Sequence, residues 1–331
     1  MTDYKNIHGK KVKYLSSDPP AAIGEGQVWY NSPAANFKAA VTVEAWSSGG
    51  AYPTAIRMGF GSGTQTAALY ASGYVGPQPA PPANLMPVAS NTYDGSSWTS
   101  AGDVNNRRFI GASAGTQTAS LMMGGNSPLG ATRDEVEEYN GTSWSEQNDL
   151  PTGTQTNFGI GIQTAALSVG GSIDTDITLV YDGSSWTAGG NCNTGRTNGS
   201  TAGTSTAGMV AGGSGPAPNY VILSAVEQYD GSSWTTYPAS LNVGSSHYTS
   251  NNVGTSSRDT AIVAGGTDGS ATGKTEIFDG STWRTAPSMA TARNTNIMGD
   301  SSAALAATGG SNVNTVEEFT ASKAVKVITD S

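Results

Sequence analysis

The 331-residue chain holds few side chains suited to covalent or metal chemistry, and their spacing decides what each could do. Its two histidines stand far apart, His8 in a polar opening stretch and His247 in a loop-like run, so a shared metal site would need two unrelated segments to converge. Gly111-Ala112-Ser113-Ala114-Gly115 has the spacing of a nucleophile elbow, yet that chemistry requires a strand-to-helix turn and a histidine base close by. Gly269 to Thr275 falls one residue short of a phosphate-cradling loop and opens no helix. Asp174 and Asp176 could offer oxygens to Ca²⁺, but an acidic pair alone does not complete its shell. The single cysteine, Cys192, has no partner for an internal disulfide. The Asn140-Gly-Thr and Asn198-Gly-Ser sequons would matter only in a secretory pathway. The expectation is a protein with no catalytic centre, no cofactor and no metal.

The elements that would position these residues must be read from composition and repetition. With 44 glycines and only 12% charged residues, the chain lacks the polar faces that amphipathic helices need, so it reads as all-β. A net charge of −9 and a pI near 4.6 repel phosphate backbones, and nucleic acid is not an expected partner. No apolar run is long enough for a membrane helix, and Met1 to Lys13 has no signal-peptide core, which predicts a cytoplasmically made protein without membrane insertion.

Two phrases recur. Tyr93-Asp94-Gly95-Ser96-Ser97-Trp98 returns at Tyr139 to Trp144, Tyr181 to Trp186, Tyr229 to Trp234 and Phe278 to Trp283. Small apolar residues running into Gly-Gly occur at 124–125, 170–171, 212–213, 265–266 and 309–310, with a Ser72-Gly73 variant. Successive tryptophans at 46, 98, 144, 186, 234 and 283 are spaced by 42 to 52 residues, the size of a four-stranded propeller blade. Trp46 lacks a preceding aromatic phrase, and Phe319 lacks a following tryptophan. A sixth blade closed by the Trp46 strand beside residues 316–319 accounts for both. Asp-Gly between aromatic strands predicts a type I′ hairpin, with Tyr93 facing Ser96 and lying diagonally from Trp98. Trp46, Trp98, Trp144, Trp186, Trp234 and Trp283, with Tyr93, Tyr139, Tyr181, Tyr229, Phe278 and Phe319, are read as structural blade residues.

Gly-Gly, an aromatic before a turn and then tryptophan, at a period near 47, resembles the kelch repeat over about residues 40 to 320. The resemblance implies a six-bladed kelch-like β-propeller. Met289-Ala290-Thr291-Ala292-Arg293 is similar to the stretch where kelch repeats place an arginine before the innermost strand, and the same spacing marks Arg108 and Arg196. These three are expected near the ring mouth, holding loop carbonyls or carboxylates, with an anion site as the alternative. Kelch-type copper oxidases need two histidine ligands and a cysteine linked to tyrosine, a set this chain does not match. The tyrosine-to-tryptophan spacing of five is tighter than in most kelch blades.

Gly-Thr-Gln-Thr-Ala at 63–67 and 115–119 resembles propeller proteins of marine and cyanobacterial bacteriophages. Residues 1–39 fall outside the repeat and are read as a short β-hairpin arm, with strands at Lys11 to Leu15, Gly26 to Asn31 and Asn36 to Lys38; 40–331 is read as the propeller. Tyr14-Leu15 and Val28-Trp29-Tyr30 look like the opening of phage tail-fibre and virion proteins. That resemblance implies docking onto other virion proteins of the capsid or tail through Tyr14, Leu15, Val28, Trp29 and Tyr30. The implied function is a structural surface protein of a phage particle, a capsid decoration, head fibre or tail component. The alternative is a host-receptor adhesin that binds a cell-surface glycan through the Pro-rich Gly76 to Pro87 segment or the Tyr220-bearing Gly215 to Leu223 segment. The expected location is the virion, after synthesis in the host cytoplasm.

Overall fold

The computed structural model describes residues 13–19, 27–76, 86–172, 176–247, 251–253, 257–310 and 313–328. Apart from a 3-10 turn at Arg258–Thr260, the regular elements among them are all β. They form two units, one running from Trp46 to Phe319 and the other combining the residues up to Ala45 with those from Thr320 onward.

Trp46 to Phe319 is a six-bladed β-propeller. Blade 1 is the meander Phe60–Thr64, Ala67–Ala71, Ser90–Tyr93, Trp98–Ser100. Blade 2 repeats it with Ala112–Gly115, Ser120–Asn126, Thr132–Tyr139 and Trp144–Glu146. Blade 3 uses Phe158–Ile162, Ala165–Val169, Thr178–Tyr181 and Trp186–Ala188, and blade 4 uses Ser200–Thr204, Ala207–Ala211, Val226–Tyr229 and Trp234–Tyr237. Blade 5 holds Ile262–Ala264, Thr275–Phe278 and Trp283–Ala286, while the short Asn251–Val253 pairs in parallel with Ser200–Thr204 of blade 4. Blade 6 holds Asn296–Gly299, Ala303–Ala307, the start of Val316–Val327 and, beside it, the strand carrying Trp46. The innermost strands touch in order, and Asn296–Gly299 returns to Phe60–Thr64, so the ring is closed. At the closure the Gly49 N–H donates to Val316 O at 2.9 Å, and the Trp46 and Phe319 rings lie 5.3 Å apart.

The hairpin differs from the sequence expectation. Tyr93 pairs directly with Trp98, and the same register holds at Tyr139/Trp144, Tyr181/Trp186, Tyr229/Trp234 and Phe278/Trp283. The turn is a four-residue loop in which Gly95 has φ 94° while Asp94 keeps an ordinary backbone. The carboxylate explains it: Asp94 Oδ1 accepts the N–H groups of Ser96 at 2.9 Å and Ser97 at 2.8 Å, closing the turn through a side chain. Those donors hold Asp94 at about 2, as serine donors hold Asp182 and Asp230. The direct pairing sets each tyrosine or phenylalanine ring 4.7 to 5.2 Å from its tryptophan.

Both residues of the Gly-Gly pairs have positive φ. At Gly212 (φ 66°) a Cβ would also sit 2.4 Å from Ser245 O, so blade 4 could not meet the loop entering blade 5 with any other residue there.

In the other unit, β1 (Lys13–Leu15), β2 (Val28–Asn31) and β3 (Asn36–Ser48) form a sheet with the end of Val316–Val327. The strand expected at Asn36 to Lys38 and the one expected around Trp46 are one continuous strand. β1 and β2 run parallel, so the two quoted N-terminal phrases do not form a hairpin with each other; the antiparallel turn joins β2 to β3.

Candidate functional site

The three arginines are fully buried. Arg108 Nη1 donates to Glu137 at 2.8 Å, Arg196 pairs with Glu227, and Arg293 pairs with Glu317. Arg196 Nη1 also donates to Gly212 O at 2.9 Å and Ala225 O at 3.0 Å. Each glutamate accepts loop N–H groups as well: Glu227 takes those of Asn193 at 2.7 Å and Thr194 at 3.0 Å. The charge is spent inside the blade, and no guanidinium of the three is open to an outside anion.

Sequence reasoning did not see these glutamates. Each stands two residues before a blade aromatic, which is the signal that could have found it. They also reveal an alternation. The arginine positions of blades 1 to 6 hold Ile56, Arg108, Thr154, Arg196, Ser245 and Arg293, and the carboxylate positions hold Asn91, Glu137, Leu179, Glu227, Glu276 and Glu317. Complete pairs therefore occupy even blades. Where they are missing, a cavity of about 120 Å³ lies beside Thr154 and Leu179, and one of about 10 Å³ beside Ser245 and Glu276.

The tryptophans alternate too. Even-blade indoles donate to a hydroxyl of the preceding blade: Trp144 to Ser90 at 3.3 Å, Trp234 to Thr178 at 2.9 Å, Trp46 to Thr275 at 3.0 Å. Trp98 and Trp186 instead reach the carbonyls of Gly50 and Asn148, and Trp283 Nε1 has no partner among the described residues.

Ser113 lies on an innermost strand and donates to Gly61 O at 2.7 Å, in a setting with no strand-to-helix turn. His247 is fully buried against Ser245 Oγ at 3.1 Å, and burial pushes it down to about 4. Burial pushes the Cys192 thiol up to about 12. His8, Asp174 and residues 77–85 of the Pro-rich segment lie outside the described residues. Among the described residues no three His, Cys, Asp or Glu side chains cluster as metal ligands would. In the N-terminal unit Trp29 is buried with its N–H on Asp18, Tyr30 packs on Phe37, Leu15 is half-buried and Val28 is 40% exposed. Tyr14 is described only through its backbone pairing with Tyr30.

A pocket of about 490 Å³ opens at the mouth of blades 3 to 5. Its floor repeats one structural position three times, at the junction between the entry to an innermost strand and the exit after Gly-Gly. The junctions are Gln155 with Ser172, Thr197 with Ser214, and Ser246 with Thr267, each tied by backbone hydrogen bonds of 2.8 to 3.0 Å. In blades 1 and 2 the same position carries Arg57 with Tyr74 and Phe109 with Asn126, and the Tyr74 and Phe109 rings pack 5.8 Å apart with Met58 and Met86. Bulk fills that side of the mouth, and small hydroxyl residues leave the other side open.

One wall is the Gly215 to Leu223 segment, held by Gly215 N–H to Val221 O at 2.8 Å and Leu223 N–H to Gly213 O at 2.8 Å. It presents Tyr220, 59% exposed with φ 43°. Among the described residues no charged side chain lines the pocket. No protein-family model matches the chain, and no curated protein matches it.

Proposed function

We propose that this chain is a non-enzymatic, kelch-like surface component of a bacteriophage particle, a capsid decoration, head fibre or tail part, attached through its N-terminal unit and displaying the propeller. The division of the chain supports this reading most directly. Trp46 to Phe319 makes up the closed ring, while β1, β2 and the C-terminal strand end belong to a second compact unit. The phage-like phrases of the sequence fall in both units. A net charge of −9 argues against a nucleic-acid partner. Among the described residues the mouth pocket has no carboxyl or imidazole side chain to act as acid or base, which favours binding over catalysis.

Deleting residues 1–38 tests it. The ring keeps its closing strand and melts as before, while the truncated protein disappears from purified particles. Deletion through Trp46 removes the closing strand and leaves an unpaired edge that aggregates. Normal incorporation of the shorter truncation, or absence of the intact protein from particles, refutes the proposal. The pocket favours a second reading, a host-receptor adhesin in which the displayed ring binds a cell-surface glycan.

A further inference from the structure

We infer that the pocket over blades 3 to 5 is a binding site for an uncharged saccharide, stacked on Tyr220. The inference deepens the adhesin reading and rests on it only for biological context.

The chemistry of the lining selects the ligand class. Phosphate, sulfate and carboxylate sugars need a cation or converging N–H donors; among the described residues Lys, Arg and His are absent from the lining, and Lys274 is committed to Asp268 at 2.7 Å. An apolar peptide would need an apolar groove, whereas the floor is hydroxyl and amide. Sugar hydroxyls both donate and accept; on the floor, Ser214 donates to Ser246 Oγ at 2.8 Å and Thr267 Oγ1 accepts the Gly269 N–H at 3.1 Å, which leaves the Ser246 and Thr267 hydroxyl protons to donate. Gln155 gives its carbonyl to Asn126 Nδ2, which leaves its amide N–H₂ to donate. The volume falls within the roughly 300–1,000 Å³ typical of small-ligand sites.

Tyr220 supplies the second half of saccharide recognition, a flat apolar face for the C–H side of a pyranose ring. Its left-handed φ is one that bulky residues rarely adopt. The turn nevertheless holds it there through the Gly215 and Leu223 hydrogen bonds and Tyr220 N–H to Pro216 O at 3.3 Å. An aromatic ring left outside every core cluster but fixed beside a rigid polar floor is placed for contact, not for packing.

The test applies the purified full chain to an array of neutral hexose and N-acetylhexosamine oligosaccharides beside their sialylated and sulfated counterparts, then titrates the strongest neutral binder calorimetrically. Neutral glycans are retained, with an affinity unchanged between about 50 and 500 mM NaCl because no ion pair is screened. Tyr220→Ala weakens binding by about tenfold or more, Tyr220→Phe by less than about threefold, and neither shifts the melting temperature. Retention of charged glycans alone, no neutral glycan retained, or full affinity in Tyr220→Ala overturns the site. Because the assay uses no particles, it can fail while particle incorporation succeeds, and the reverse.

Discussion

Arg196→Ala is the sharpest perturbation of the ring, because the ring contains its own control. The substitution leaves Glu227 buried but still holding Asn193 N–H at 2.7 Å, Asn193 Nδ2 at 3.1 Å and Thr194 N–H at 3.0 Å. Blade 5 already lives in that state: Glu276 is held by Asn242 N–H at 2.7 Å, Asn242 Nδ2 at 2.8 Å and Val243 N–H at 2.9 Å, with Ser245 in the arginine's place. The carboxylate itself therefore survives. The cost comes from Gly212 O and Ala225 O, each losing a donor at about 1 kcal/mol, and from the lost charge-assisted bond at about 1.5 kcal/mol. The sum, about 3 to 4 kcal/mol, lies within the range for breaking a buried pair. For a ring of this size that lowers Tm by roughly 6–15 °C. Arg196→Ala with Glu227→Leu removes both charges, as blade 3 does with Thr154 and Leu179, and should cost no more than Arg196→Ala alone, a coupling of at least about 2 kcal/mol. Urea unfolding followed by tryptophan fluorescence measures all four corners of the cycle. A loss below about 1 kcal/mol for the single variant, or simple additivity in the double, refutes the reasoning.

Trp234→Ala should cost about 3–5 kcal/mol, since Trp234 is 5% exposed and bonded to Thr178, and half-buried Trp186→Ala should cost clearly less; equal melts would remove the distinction between blade types. His247 sets an acid limit. Its folded pKa of about 4 lies below the ordinary 6.5, so the unfolded chain takes up the proton first, and stability is full above 6.5 and declines by about 3 kcal/mol as pH falls to 4. His247→Gln should flatten that limb of the stability profile, and an unchanged slope would rule His247 out as its cause.

The blade count was legible because each blade repeats one aromatic turn and one glycine pair, and closure was legible because Trp46 and Phe319 each carry half of a phrase. The turn geometry was not: Asp-Gly fits a type I′ turn equally well, and only the Asp94 side chain's capture of two N–H groups tells the loops apart. Glu137, Glu227 and Glu317 escaped because they lie 29, 31 and 24 residues from their arginines, a separation that varies with loop length. Of the pocket, the Tyr220 segment could be seen as a long insertion after Gly-Gly. Its floor could not, since Gln155, Thr197 and Ser246 are separated by whole blades and converge only when the ring curves.

The alternation of arginine pairs and indole partners makes the seams between blades of two kinds. Walking round the ring, an odd-to-even seam is always followed by an even-to-odd one. Such a circle closes only with an even number of blades. Duplicating a single blade would bring two like edges together, with an indole facing a blade that lacks its hydroxyl and a tyrosine such as Tyr93 facing one without the equivalent of Glu318. Duplicating two adjacent blades would create no mismatched seam. Parity is thus written into the side chains, and an eight-bladed relative is accessible by one tandem duplication where a seven-bladed one is not.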